Sequence, residues 1–352
     1  MSCIREELEA LELQTLSPYA ALSSASTGRD RSEPQDDIRT CYERDRDRIL
    51  HCKAFRRLKH KTKVFIAPEG DHYRTRLTHT LEVSQIARTF AKALRLNEDL
   101  TEAIALGHDL GHTPFGHSGE RVLDQLCTEG FSHVEQSVRV VELLEKGGRG
   151  LNLTKEVRDG ILNHRTSGHP HTLEGQSVRF ADKIAYINHD IDDSIRAGLI
   201  TEAMLPQDIT DILGHSVRER LNTLIHDVIL HSQNKPQLCM SPKIEAAMQG
   251  LRQWMFANVY IGGEAKKEEI KVNRMLELLF HFYMKHPNMM TQEYTAILEG
   301  NLSRISSDAP EKDRLIQIAH ERSVCDYIAG MTDDYCIAKF KEYFIPIGWK
   351  KY

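Results

Sequence analysis

The sequence predicts an all-α fold. Apolar residues recur at three- and four-residue spacing through most of the chain, and no stretch alternates apolar and polar residues over a useful strand length. Boundary residues agree: Asn97 stands where one helix follows another, and Gly147-Gly148 stands where a later helix stops. The organisation these signals give is an N-terminal helix and loop over 1–40, a helical core over 41–200, and a helical region over 201–352 that completes the site and offers a subunit interface.

Composition bounds the function classes. The 352 residues are 40% hydrophobic and 28% charged, ordinary for a soluble globular protein. A formal net charge of −5 gives no global attraction to nucleic acid or membrane, so any positive potential has to be local. No apolar run approaches the length of a transmembrane helix. Seven cysteines lie scattered without a CxxC spacing and without a secretory leader before them, which predicts reduced thiols in a cytoplasmic compartment.

Along the chain, Ile4, Leu8 and Leu11 predict a short docking helix, followed by a loop rich in Ser, Pro, Gly and charge. From Arg44 to Lys63, nine Lys or Arg stand against two Asp, a local formal charge of +7. Such a run is usually a solvated helix face with ion pairs at four-residue spacing. Here Ile49, Leu50, Phe55 and Leu58 supply an apolar stripe that docks the helix and turns its arginines one way, a surface that suits a polyphosphate or the backbone of a single-stranded nucleic acid.

After Gly70-Asp71, a helix with Leu77, Leu81, Ile86, Phe90 and Leu94 on its apolar face carries His79 beside that face. Asn97 caps a second helix running through Leu100, Ile104 and Leu106 to His108-Asp109. Two consecutive antiparallel helices bring His79 next to that pair.

The stretch from Ile104 to Glu120, IALGHDLGHTPFGHSGE, crowds His108, Asp109, His112, His117 and Glu120 behind an apolar lead-in. A buried carboxylate needs a cation or hydrogen bonds to compensate it, and borderline or hard divalent ions take His nitrogen together with Asp oxygen. A helix end with solvated histidines would not need the tight turn that Gly111, Pro114 and Gly116 impose. The stretch therefore predicts a buried metal site.

Helices are expected next at 118–127 and 133–145, with His133 opening the latter and able to reach back toward the centre, and at 154–164 before a Gly/His/Pro loop. In the helix beginning near Gly175, Asp182 shares the side of Val178, Ala181, Ala185 and Ile191, with Tyr186 one turn on and His189 two turns on. An unpaired buried Asp costs several kcal/mol, so Asp182 needs a partner, and a metal held by His79, His108 and Asp109 is a sufficient one. Beyond residue 200, SPKIEAAMQGLRQWMFANVY and KKEEIKVNRMLELLFHFYMKH read as amphipathic helices whose Met and aromatic residues suit core or subunit interface.

The pattern His79, His108-Asp109, Asp182 resembles the HD-domain metal phosphohydrolases. The blocks RTRLTHTLEV, GHDLGHTPFGHSGE and RFADKIAYINHDIDD, with the basic run before them and RSVCDYIAGMTDDY after, look like the dGTP triphosphohydrolase family in particular, from about residue 29 to 345. The resemblance implies an HD-domain helical core with additional C-terminal helices. It implies that His79, His108, Asp109 and Asp182 hold one divalent ion, Mn²⁺ or Mg²⁺ first, with Fe, Co, Ni or Zn also compatible with such donors.

By the same resemblance, His117 and Glu120 form the catalytic pair, His112 touches the phosphates, and His133 joins this catalytic set. Arg76 meets the phosphate chain, and Tyr186 and Asp190 hold the deoxyribose. The reaction implied is hydrolysis of a deoxynucleoside triphosphate to the deoxynucleoside and inorganic triphosphate, by an enzyme that assembles as a homo-oligomer, often a hexamer. One departure stands out: where family members often carry a glutamine on the sugar 3′-hydroxyl, this chain has Lys63 before Val64-Phe65, and an ammonium donates but does not accept. His112, His117, His133 and His164 leave a second, weaker metal position open. Two other readings also stay open: another HD nucleotidase or phosphodiesterase, and a regulatory protein responding to single-stranded nucleic acid.

Overall fold

The computed structural model of the chain describes residues 3–63, 74–260, 264–346 and 348. Val64 and Phe65, beside Lys63, and Gly70-Asp71 lie outside the described residues. Among the described residues every regular element is helical, and the only extended pairing is an isolated antiparallel bridge between Thr62 and Thr75. The all-α expectation is borne out.

The chain opens with α1 (Ile4–Thr15), and the basic run then folds as two helices, α2 (Cys41–Leu50) and α3 (Lys53–Arg57), with a 3₁₀ turn over Leu58–His60. The run breaks at Cys52, whose extended backbone ends α2 and whose thiol accepts the Phe55 amide at the start of α3. Ile49, Phe55 and Leu58 are buried as expected, whereas Leu50 is exposed. The first four of its nine basic residues pair with acids within the fold. Arg46 reaches Asp99 at 2.6 Å, Arg48 and Arg44 reach Glu33 at 2.6 and 3.2 Å, and Lys53 reaches Glu293 at 3.1 Å.

The core is built on α4 (Arg76–Leu94), which packs against both α5 (Glu98–Gly107) and, further along the chain, α9 (Leu173–Arg196), while α2 covers α5. Thr75 caps α4 by accepting the Thr78 amide, and the Asn97 side chain caps α5 by accepting Leu100 N–H at 3.1 Å. The inward face of α4 differs from the one expected. Arg76, His79, Val83, Ile86, Ala87 and Phe90 are buried, while Leu81 is 49% exposed. The helix is rotated so that His79 points to the centre, and a polar site takes the place of a purely apolar stripe.

Between α5 and α9 run α6 (Gly116–Leu126), α7 (His133–Arg139), whose last turn widens over Val140–Leu144, and α8 (Lys155–Leu162). The C-terminal region adds α10 (Gln207–Leu213), α11 (Val217–Ser232), α12 (Pro242–Met255), α13 (Glu264–Lys285), α14 (Gln292–Ser303), α15 (Lys312–Ala329) and α16 (Asp333–Phe344). α13 and α15 pack on α6, and α11 and α12 pack on α9. No helix of the described residues is long and apolar enough to cross a membrane.

The thiols depart from expectation at one pair. Cys127, just after α6, and Cys325 on α15 are joined by a disulfide 198 residues apart, whereas Cys3, Cys41, Cys52, Cys239 and Cys336 are free. Tertiary packing of α15 on α6 brings that pair together, and sequence spacing carries no trace of it.

A buried carboxylate fastens the N-terminal segment. Glu174 at the start of α9 accepts the amides of Ala21 at 3.0 Å and Asn97 at 2.9 Å, next to Glu12, which accepts from Ser23 and Asn97. Burial pushes the Glu174 carboxyl up from 4.5 to about 7, and the Glu12 charge adds to the shift. Because the folded value lies above the unfolded one, the stability this proton supplies is full below pH 4.5 and is lost as pH rises through about 7. The two pKa values correspond to about 3 kcal/mol. Glu174→Gln should flatten this dependence. Urea unfolding at pH 5 and pH 8 checks it, and an equal stability difference in wild type and variant would refute it.

Candidate metal centre

Three helices deliver four side chains to one point. His79 lies one turn into α4, His108 ends α5 with Asp109 immediately after it, and Asp182 lies in the third turn of α9. His79 Nε2 is 3.1 Å from Asp182 Oδ1 and 3.9 Å from Asp109 Oδ2; His108 Nε2 is 3.4 Å from Asp109 Oδ1 and 3.9 Å from Asp182 Oδ1. Candidate ligand atoms of His79, His108 and Asp109 all lie within 4.8 Å of one another. His79, His108 and Asp109 are buried, and Asp182 opens the group on one side.

The hydrogen bonding fits a cation. His108 Nδ1 donates to Ala105 O at 2.7 Å, which leaves Nε2 as a lone pair, buried and with no hydrogen-bond partner among the described residues. Burial, helped by the Lys63 charge, pushes the His79 imidazole down to about 3, so it is neutral, the form that ligates. Burial works against ionising Asp109, but His108, His112 and the Arg76 guanidinium, 3.0 Å from Oδ2, hold it well below the usual carboxylate range. Asp182 is held low in the same way, by His79 and His108 against its burial. Two ionised carboxylates facing two imidazoles match the donors a borderline or hard divalent ion takes.

The loop from Leu110 to Gly116 is gripped from both sides. A Cβ on Gly111 would come within 2.1 Å of the Ser137 backbone nitrogen, so only glycine allows this approach to α7, where Ser137 Oγ accepts Gly111 N–H at 2.8 Å. Phe115 has φ +59°, a conformation a bulky residue holds only when its surroundings enforce it. Asp333, first residue of α16, enforces it by accepting Phe115 N–H at 3.0 Å on one carboxylate oxygen, while the other accepts Thr62 N–H at 3.0 Å and its hydroxyl at 2.6 Å. The buried Lys61 ammonium donates to the carbonyls of His112 and of Ala329.

Beside the four-residue group lies an acid–base cluster. Glu120 accepts from His117 Nδ1 at 3.2 Å, from the His133 amide at 3.0 Å and from Arg165 at 2.6 Å, and His133 Nδ1 lies 2.9 Å away. Burial would raise the Glu120 carboxyl, yet bonds to His117 and His133 and the charge of His133 and His112 hold it far below the usual range. His112 stacks on His133 at 3.8 Å between ring centroids and sets Nε2 3.2 Å from Asp109 Oδ1, linking the two groups. His117 is the cluster's open face, its side chain 57% exposed. Asp109, His112 and His133 form a second trio within 4.8 Å, where His133 Nδ1 already meets both Glu120 and Arg165.

The residues expected to meet substrate fall around this centre. Arg76 is buried and bonded to Asp109, with NH2 3.1 Å from where a Gly116 Cβ would stand. Lys63 sets its ammonium 3.1 Å from His79 Nε2 and 5.1 Å from the Tyr186 ring centroid. Tyr186 hydrogen-bonds Asp190, whose carboxyl burial pushes up to about 7. Arg165, Lys61 and Asp333 touch the site without a sequence signal: a basic residue near a Gly/His/Pro loop, a lysine inside a charged run and an acid at a distant helix start read as surface.

Comparison with known proteins agrees with this geometry. An HD domain matches residues 76–187, and a phosphohydrolase-associated domain matches residues 238–342. A deoxyguanosinetriphosphate triphosphohydrolase-like protein of Caldanaerobacter subterraneus is 57% identical, covering 98% of this chain and 97% of that protein. Proteins of the same description from Clostridium perfringens and Geobacter sulfurreducens are 50% and 40% identical, each covering 97% of this chain and 98% of the relative.

Proposed function

The chain belongs to the deoxyguanosinetriphosphate triphosphohydrolase-like family of HD-domain phosphohydrolases, and on that premise we propose that it hydrolyses a deoxynucleoside triphosphate to the deoxynucleoside and inorganic triphosphate. The observation that carries this reading is the convergence of buried His79, His108 and Asp109 with half-buried Asp182, beside a histidine-carboxylate pair whose histidine is open to solvent. His79, His108, Asp109 and Asp182 would hold one divalent ion, Mn²⁺ or Mg²⁺. When bound, the ion supplies Lewis-acid neutralisation of charge on phosphate oxygens.

The chain's own groups do the rest. Water adds to the α-phosphorus, the bond to the 5′-oxygen breaks, and that oxygen leaves as a protonated hydroxyl. His117 would carry a proton in that exchange, and Glu120, kept ionised by its surroundings, would orient the ring through Nδ1 and favour its charged form. His133 shares Glu120 and backs His112, which faces the phosphates together with Arg76. Tyr186, Asp190 and Lys63 bound the side where the sugar would lie.

Incubating the purified chain with each deoxynucleoside triphosphate and Mn²⁺ or Mg²⁺, with chromatography of the products, tests the reading. Deoxynucleoside and inorganic triphosphate in equal amounts are expected. Orthophosphate or pyrophosphate in their place assigns the site to another phosphohydrolase chemistry.

A further inference from the structure

The proposed ligand His79 has a second nitrogen, and what lies behind it is organised. His79 Nδ1 is 3.2 Å from His189 Nδ1, and His189 Nε2 is 2.7 Å from a Glu82 carboxylate oxygen. Glu82 lies one turn after His79 on α4, and His189 lies two turns after Asp182 on α9, so the chain of contacts bridges the two helices that bring the ligands together. Arg74 closes it, with Nε 3.3 Å from Glu82 and NH1 2.6 Å from Asp192 and 3.1 Å from Asp193.

We propose that His189 and Glu82 are positioning residues that fix His79 in the tautomer presenting its Nε2 lone pair to a divalent cation. This rests on the metal-centre reading above. The proton positions follow from the partners. His189 Nε2 faces a carboxylate, which only accepts, so it carries a proton. The neutral ring then offers a lone pair at Nδ1, and His79 Nδ1, facing it, is the donor. His79 Nε2 is left without a proton. On the far side of the ring Nε2 lies 3.1 Å from both the Lys63 ammonium, which only donates, and Asp182 Oδ1, which only accepts, so the tautomer is set from the His189 side. A lone pair on Nε2 also faces Asp182 Oδ1 at 3.1 Å, an arrangement stabilised by a cation between them.

Outer partners of this kind set ligand orientation and basicity, and losing one weakens metal binding by about 10- to 100-fold. The test is Mn²⁺ affinity of the full-length chain, read from the electron paramagnetic resonance signal of free Mn²⁺ without substrate. His189→Phe keeps a ring of similar size and removes the acceptor; it should weaken binding by about 10- to 100-fold. Glu82→Ala, at a half-exposed position that tolerates truncation, should weaken it by about tenfold, and Glu82→Gln, which keeps an oxygen acceptor toward His189, should recover most of that loss. Affinity within twofold of wild type in Glu82→Ala overturns the relay, and that variant decides the matter if His189→Phe does not fold. A wild-type chain that binds no Mn²⁺ overturns the metal centre as well.

Discussion

Asp109→Asn should lower turnover of deoxynucleoside triphosphate by more than about 1000-fold, the loss of several kcal/mol of charge stabilisation at the phosphoryl group. The amide nearly preserves the volume of the side chain but removes the charge, and Asp109 is the residue on which most of the centre depends. It faces His79, His108, His112 and Arg76 within 3.9 Å. Asparagine is a better test than alanine because Arg76 is buried, and stripping the carboxylate it pairs with outright would cost about 3–5 kcal/mol and confuse loss of chemistry with loss of fold. Activity, Mn²⁺ binding and thermal unfolding on one preparation separate the effects: activity and metal should vanish together while a cooperative transition survives. Turnover near the wild-type rate would contradict the assignment of Asp109.

His117→Ala should behave differently, with metal affinity unchanged and kcat down by about 10²- to 10⁴-fold, the range for removing a positioned general acid or base. The contrast follows from placement. His117 touches none of the four proposed ligands; it bonds Glu120 and stands exposed at the mouth of the site. Its removal also frees little buried area, so stability should change by less than about 1 kcal/mol. Single-turnover measurements at saturating Mn²⁺ check the rate, and a variant that lost its metal instead would move His117 from proton transfer to ligation.

Much of this was legible in the sequence because it is local. Asn97 names its own helix start, and His108, Asp109, His112, His117 and Glu120 fall within seventeen residues whose glycines and proline already describe the turn. Asp182 was legible because a carboxylate in an apolar stripe calls for a partner. The rest depended on contacts between distant segments. Leu81 was placed inward because apolar residues usually are, yet α4 turns that side to solvent to bury Arg76 and His79. The basic run promised an open cationic face, but Arg44, Arg46 and Arg48 find acids at positions 33 and 99 that no periodicity connects to them. His189 was visible on its helix but had no meaning until α4 lay against α9 and supplied Glu82.

The grip of Asp333 and Lys61 on the loop before α6 makes the far end of the chain a fine adjustment for the chemistry near its middle. Phe115 is 218 residues from the carboxylate that holds it. Substitutions around residue 330 alone would therefore shift the loop that leads into His117, leaving every proposed ligand and proton carrier as it stands.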